Sequence, residues 1–404
     1  MNTIARRQFL NFLVASPLIA AAGHSRLAHG ASSLPPFLIQ SPDEALDVFD
    51  LHAVAKNVLP TSHYGYLATG SDGNETLAAN RMAFEKVYLR AMRMVDTQHI
   101  DTQTELLGTK LKSPIVIAPV GSQNAFHAEG ELATARAART HDTLQILSNV
   151  STQSIEDVIA ARGAPVGFQL YPTNDWSVAV KMIKRAEKAG AEFVVLTVDL
   201  NSDSNRVLLG QYIRADERAC SACHIAGPKD ALLRKPMYDG TGATIAGFDT
   251  SSMTWDYIDR LKAATAMKVV VKGIVTAEDA SSCVRHGVDA VYVSNHGGRA
   301  EASGWGALES LPEVVKAVDG AVPVLVDSGF RRGADIFKAL ALGADAVCIG
   351  RAYIWGLAAF GQSGVEKVLE MLNAELRMVM GQMGTPSLAD IGRQHIGMRP
   401  RGIG

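Results

Sequence analysis

AVYVSNHGGR, residues 290–299, decides how the rest of the chain is read. An apolar run, Ala290–Val293, breaks into a polar turn that carries a histidine, two glycines and an arginine. A buried strand followed by a glycine-loosened turn holds side chains at the end of a sheet, where substrates bind. His296 can accept a proton near neutral pH. Arg299, three residues on, can grip a carboxylate with its planar fork. A base beside an anion clamp points to proton abstraction from an acid substrate. Taken alone, the stretch fits a structural turn with a satisfied histidine equally well.

Outward from it the same design recurs. PIVIAPVG (114–121), LQILSN (144–149), VGFQLYP (166–172), FVVLTVD (193–199), KVVVKG (268–273), VYVSNHGG (291–298), PVLVDSG (323–329) and AVCIGR (346–351) are apolar runs ending in polar, Gly or Pro residues. Such runs fit strands buried on both faces of a parallel sheet. HAEGELATARAART, SIEDVIAAR, SVAVKMIKRAEKAG, TAEDASSCVRHG and GADIFKALALG, all helical in pattern, separate most of them. Strand–helix units repeated this way predict an α/β fold, a (β/α)8 TIM barrel. A doubly wound sheet also alternates, but eight units with no outlying strand favour closure. Chemistry then belongs at the strand C-terminal ends, where Tyr171, Asp199, Lys272, His296, Asp327 and Arg351 fall.

The chain has 404 residues, 47% hydrophobic, with a net charge of −2. That suits one large globular domain rather than a nucleic-acid binder or a disordered chain. The sequence has no run of 18 uninterrupted apolar residues, so a conventional membrane span is not expected. The first thirty residues differ from the rest. Arg6-Arg7-Gln8-Phe9-Leu10 is a twin-arginine pattern, and an apolar stretch broken by Asn11 and Pro17 follows it to Ala22. Ala28-His29-Gly30 offers small residues for cleavage before Ala31. Residues 1–30 read as a twin-arginine signal, which places the mature protein, 31–404, in the periplasm. A short amphipathic leader or a retained anchor is the other reading. Twin-arginine export carries folded proteins, often with cofactor bound. Four cysteines are too few for a disulfide scaffold, and Cys283 and Cys348 read as small core residues.

Within the mature chain, 31–110 reads as a helical lead-in or cap and 111–404 as the barrel. Residues 43–60 have helical spacing that stops at Pro60, and 63–92 read as a Gly-rich turn feeding a second helix. The connection 200–267, after the fourth strand, is too long for an ordinary loop, and such segments are usually lids. Residues 363–381 place Val365, Val368, Leu369, Leu372, Leu376 and Val379 on one helical face, with Ser363 and Glu366 in a capping-box pattern.

From about Ala45 to Ile391 the chain resembles the FMN-dependent α-hydroxy acid oxidase/dehydrogenase family, which includes glycolate oxidase, lactate oxidase and mandelate dehydrogenase. The matching blocks are TLAANRMAF, SPIVIAPVG, GELATARAA, FQLY, TVD, VKGIVTAEDA, SNHGGR, DSGFRRG, FKALALGADAV and GRA. The resemblance implies that His296 is the active-site base and that Asp199 stabilises its imidazolium. It implies that Arg206 and Arg299 hold the substrate carboxylate, that Tyr66 adds a hydrogen bond and that Tyr171 contacts the substrate oxygen. Lys272 would sit near flavin N1 and O2 and favour the reduced anion. Pro119, Val120 and Gly121 would lie along the isoalloxazine edge, and Ser148, Gln169, Thr197 and Ser294 would bond or flank the ring. Asp327, Ser328, Gly329, Arg331, Gly350 and Arg351 would wrap the ribityl chain and phosphate. That last set agrees with the rule that barrel phosphate sites form after strands seven and eight. The family resemblance also implies a homo-oligomer, a tetramer.

Departures bear on substrate and acceptor. Ala300-Glu301-Ala302 replaces the usual Gln-Leu-Asp, Ala91-Met92 the usual Pro-Arg, and LNSDSN follows Asp199 in place of Pro-Arg-Leu-Gly. LNSDSN, and Asp327-Ser328-Gly329 in place of Asp-Gly-Gly, look more like the lactate oxidase branch. Cys220-Ser221-Ala222-Cys223-His224 lies outside the family pattern and matches the attachment motif of c-type haem; a disulfide, a reactive thiol pair or a chance pentad are its other readings. The expectation is an exported FMN enzyme that oxidises a lactate-like L-2-hydroxy acid to the 2-oxo acid and passes electrons to a cytochrome, a quinone or oxygen. Its alternatives are another FMN- or phosphate-binding barrel, such as an isopentenyl-diphosphate isomerase-like enzyme, and a non-catalytic binding barrel.

Overall fold

Alternate side chains of a strand face opposite ways, so a strand buried on both sides needs an apolar residue at nearly every position. The eight runs meet that demand. In the computed structural model, which describes residues 38–218 and 233–399, each forms a parallel strand. They are β1 (Ile115–Ile117), β2 (Ile146–Ser148), β3 (Gly167–Leu170), β4 (Phe193–Thr197), β5 (Lys268–Ile274), β6 (Ala290–Val293), β7 (Val324–Val326) and β8 (Ala346–Ile349). From β2 to β8 each strand pairs with the next, and β8 pairs back with β1. A bridge between Ile117 and Gln145 closes the ring, with Ile117 N donating to Leu144 O at 2.9 Å. The fold is a (β/α)8 TIM barrel.

Parity sorts the two faces. Val116, Ile146, Phe193, Val195, Val270, Ala290, Tyr292, Leu325, Ala346 and Cys348 fill the interior. Leu106 and Leu111, from a hairpin of Thr104–Leu106 and Thr109–Leu111, join that cluster at the strand starts and floor the barrel. Val194, Leu196, Val269, Val271, Val291, Val293, Val347 and Ile349 face outward into the larger core shared with the helices.

Three helices lead in: α1 (Val48–Val58), α2 (Thr61–Ala68) and α3 (Glu75–Glu85). α1 is capped by Asp47, which accepts from Phe49 N at 2.8 Å, and it stops before Pro60 as expected. α2, expected as part of a turn, is a helix whose Gly65 packs closely against Tyr212, a partner far away in sequence. The expected continuation of helix through 87–92 is also corrected. Val87–Leu89 is a strand, paired antiparallel with Ile396–Met398.

The five helical patterns form α4 (Gly130–His141), α5 (Ile155–Arg162), α6 (Trp176–Ala189), α9 (Ala277–Arg285) and α11 (Gly333–Ala341). Two more join the ring, α8 (Asp256–Ala264), which ends the long connection, and α10 (Ala307–Val318), and the helix after β8 completes it. Pro312 inside α10 masks its pattern. The long connection also contains a short helix, α7 (Val207–Arg214).

After β8, α12 (Arg351–Met383) breaks at Phe360–Gly361, and its second half buries the whole expected apolar face. The capping box does not form. Ser363 Oγ donates to Phe360 O, and Glu366 accepts from Gln362 Nε2, because the chain enters from a preceding helix rather than from a loop. Cys283 and Cys348 are buried free thiols. The expected export signal and the Cys220, Cys223, His224 motif lie outside the described residues.

Candidate active site

Barrel parity carries past the apolar layer. The next inward positions after Ile146, Val195, Val270, Tyr292 and Leu325 are Ser148, Thr197, Lys272, Ser294 and Asp327, all buried. A polar tier therefore sits at the C-terminal ends of the strands. Ser148 Oγ donates to Gln169 Oε1 at 2.7 Å, and Gln169 Nε2 donates to Thr197 Oγ1 at 3.0 Å, which laces β2, β3 and β4 together.

Above this tier the β6 turn lifts His296 into the mouth. Its φ of 58° is left-handed, an uncommon state for a residue with a Cβ. His296 N donates to Ser294 Oγ at 3.0 Å, and Gly298 N donates to Asn295 Oδ1 at 3.0 Å, so the turn is held from within. Asn295 and Asn80 of α3 exchange reciprocal amide bonds of 2.8 and 2.9 Å. Gly297 has φ 68°, a backbone state that favours glycine, and a Cβ there would stand 2.5 Å from Arg351 Nη1.

Asp199, two residues past β4, accepts on both oxygens. Oδ1 lies 2.8 Å from His296 Nδ1 and Oδ2 lies 3.2 Å from Lys272 Nζ. Its approach depends on Gly273, where β5 slips register, because a Cβ at Gly273 would lie 2.7 Å from Asp199 Cβ. Burial by itself would raise the Asp199 carboxyl. The facing His296 and Lys272 outweigh burial and hold it at about 2. The same balance acts on Lys272. Burial lowers it, but Asp199 and Asp327 together raise it, so the ammonium stays charged. His296 Nε2 points the other way and lies 3.1 Å from Tyr171 Oη. Burial raises the Tyr171 phenol well above its usual range, so that hydroxyl stays protonated.

These groups open onto one cleft at the mouth of the barrel. Tyr66, Pro119, Val120, Gly121, Tyr171, Lys272, His296 and Arg299 line one part, and Asp327, Ser328, Gly329, Arg331, Gly350 and Arg351 the other. Ser148, Gln169, Thr197 and Ser294 lie beneath the wall, and Asp199 stands behind His296. Arg206 lies on the long connection after β4, with Nη2 donating to Arg299 O at 3.3 Å. It does not line the cleft. The cleft also takes in Leu67, Val150 and Ile354, which sequence reasoning did not single out. Val150 has a legible signal, since it follows β2 by two positions.

The residues present suit FMN. Arg299, Arg331 and Arg351 converge on the cleft, and none forms an ion pair with a carboxylate among the described residues. Backbone carbonyls hold them instead: Tyr66 O and Thr69 O for Arg299, Phe330 O for Arg331, and Leu67 O, Thr69 O and Gly297 O for Arg351. Burial, with Arg299 and Arg331 adding repulsion, pushes Arg351 down to about 9. Burial, with Arg81, does the same to Arg331. Guanidiniums without a carboxylate partner, beside Gly329, Gly350 and the start of α12, have the chemistry that a phosphate needs. Arg299 keeps a buried Nη2 with no acceptor, a donor free for a second anion near His296.

The family model described as FMN-dependent dehydrogenase matches residues 55–398. Glycolate oxidase of Spinacia oleracea is 39% identical over 360 residues, covering 87% of this chain and 96% of that one. A 2-hydroxyacid oxidase of Dictyostelium discoideum is 38% identical over 352 residues, covering 86% and 89%. Among solved structures, a mandelate oxidase with (S)-2-phenylpropionate superposes with a TM-score of 0.76 at 36% identity, covering 88% of this chain and 98% of that one. A Pediococcus acidilactici protein described as a lactate oxidase superposes with a TM-score of 0.80 at 33% identity, covering 89% and 96%. With the whole barrel, the polar tier and the arginine-lined cleft accounted for, the chain belongs to the FMN-dependent dehydrogenase family.

Proposed function

We propose that this protein oxidises a small, lactate-like L-2-hydroxy acid to the 2-oxo acid. The observation that carries the reading is His296, aligned between Asp199 and Tyr171, sharing a cleft with the orphan donor of Arg299. Arg299 binds the substrate carboxylate, and Arg206 closes over it from the lid. Tyr66 and Tyr171 orient the substrate oxygens. His296 Nε2 takes a proton from the substrate, and Asp199 stabilises the imidazolium that results. Lys272, kept charged by two carboxylates, supplies positive charge beside the flavin. Bound FMN serves as the two-electron acceptor from the substrate carbon. Pro119, Val120 and Gly121, with Ser148, Gln169, Thr197 and Ser294, would hold the flavin ring, and Asp327, Ser328, Gly329, Arg331, Gly350 and Arg351 would hold its ribityl and phosphate end.

The electrons then pass to a cytochrome or a quinone. The twin-arginine pattern at Arg6-Arg7 supports a periplasmic enzyme, away from cytosolic partners, and the connection 200–267 leaves β4 on the active-site face. Covalent haem on Cys220, Cys223 and His224 would give the same route within the chain. Oxygen is the second reading, and the relatives favour it because their names describe oxidases. Stopped-flow reoxidation of substrate-reduced enzyme tests the proposal. Bleaching by L-lactate and reoxidation by cytochrome c or a quinone much faster than by air are expected. Rapid aerobic reoxidation with stoichiometric peroxide and no response to either carrier would refute the dehydrogenase assignment. The mass of the denatured protein, expressed with haem-attachment machinery, tests the haem motif.

A further inference from the structure

Behind the phosphate end of the cleft stands a column of rings that the reaction itself does not use. The Arg331 guanidinium carbon lies 4.4 Å from the centroid of Trp355, in the second turn of α12. Trp355 also stacks on His52 of α1, with centroids 4.2 Å apart and planes 26° from parallel. His52 Nε2 lies 3.1 Å from Tyr64 Oη. Burial, then the charges of Arg331 and Lys56, lowers His52 to about 4, so the ring is neutral at physiological pH. A neutral ring backing the indole adds no second cation behind Arg331.

The column does what a carboxylate does elsewhere. The nearest acid on Arg331's own turn, Asp335, is already engaged. It accepts from Arg81 Nη1 at 2.7 Å and from Arg331 N and Arg332 N at 2.9 and 3.1 Å. The Arg331 guanidinium donates only to Phe330 O, at 2.7 Å, among the described residues. A carboxylate partner would neutralise the charge that a phosphate needs. An aromatic face fixes a guanidinium through its quadrupole and leaves its charge and its edge N–H groups available.

We propose that Trp355, backed by His52, is a positioning residue that holds Arg331 ready for the flavin phosphate and so sets the preference for FMN over unphosphorylated riboflavin. This rests on the reading that the Arg331 end of the cleft takes the phosphate. Trp355 does not line the cleft, so its effect passes through Arg331.

The test follows flavin release by fluorescence on dilution, using holoenzyme carrying FMN and the same protein exchanged into riboflavin. Trp355→Leu should weaken FMN about 10-fold, the scale of one desolvated cation–π contact, and leave riboflavin within about 2-fold. Trp355→Phe keeps a ring face and should restore most of the preference. Equal weakening of both flavins by Trp355→Leu would mean a packing role only and would overturn the proposal, as would no change in either. Arg331→Ala separates the two readings. If it leaves the FMN-to-riboflavin ratio unchanged, the phosphate is held elsewhere. If it abolishes the ratio while Trp355→Leu preserves it, the phosphate end is right and the positioning role is wrong.

Discussion

Asp199→Asn should be the most informative single change, because one carboxylate serves both the Lys272 ammonium and the His296 ring. In the folded protein its carboxyl sits at about 2 against the usual 3.8. That difference corresponds to about 2 kcal/mol of folding stability. The folded value is depressed, so the contribution is complete above pH about 4 and is lost as pH falls toward about 2. Asparagine removes it at every pH and leaves Lys272 buried with one carboxylate neighbour fewer. Breaking a buried pair from one side typically costs about 3–5 kcal/mol. We therefore expect a loss of about 2–5 kcal/mol at pH 7, read from urea unfolding at a fixed FMN concentration. The gap from the parent should narrow below pH 4. Asp199→Asn combined with Lys272→Met should be less damaged than the sum of the two single changes, since it leaves no orphan charge. Substrate bleaching of the flavin should also slow, because the imidazolium of His296 loses its counter-charge. Additive stabilities, or an Asp199→Asn protein within about 0.5 kcal/mol of the parent, would show that the Asp199–Lys272–His296 cluster is not a coupled unit.

His296→Ala should keep its flavin but lose reductive turnover by at least the ~10²–10⁴-fold that acid–base help supplies. Near-normal bleaching by substrate in that variant would remove His296 from the reaction. Arg299→Lys should raise the substrate concentration needed for half-maximal bleaching, since a point charge cannot replace the fork. If the unaltered enzyme oxidised neutral 2-hydroxy esters as well as the acids, the clamp assignment would fail. Ser328, with φ 77°, donates to Asp327 Oδ1 at 2.7 Å and accepts from Gly297 N at 3.0 Å. Ser328→Ala keeps the left-handed backbone and loses both bonds, while Ser328→Gly also relieves about 1–2 kcal/mol of backbone strain. The alanine variant should therefore melt lower than the glycine variant, and the reverse order would refute this account of the turn.

The barrel and most of its site were legible because one rule, period two along a buried strand, governs both. The same parity that makes Val195 and Val270 core places Thr197 and Lys272 in the polar tier, so finding the strands found the chemistry at their ends. What escaped obeys other rules. Val87–Leu89 is a strand only because Ile396–Met398 lies beside it, a partner some three hundred positions away that no local pattern encodes. α2 hides behind Gly65, which looks like a turn residue until Tyr212 is seen to need the space above it. The left-handed turn at His296 is written in the glycines that follow but not in the histidine itself. The arginines mark the boundary most clearly. Their type announces anion binding, yet their aim is set by the carbonyls of Tyr66, Leu67, Thr69 and Gly297, and every residue has a carbonyl. Backbone acceptors orient these cations without neutralising them, so a receptor for two anions can be assembled with no acidic residue to betray it in the sequence.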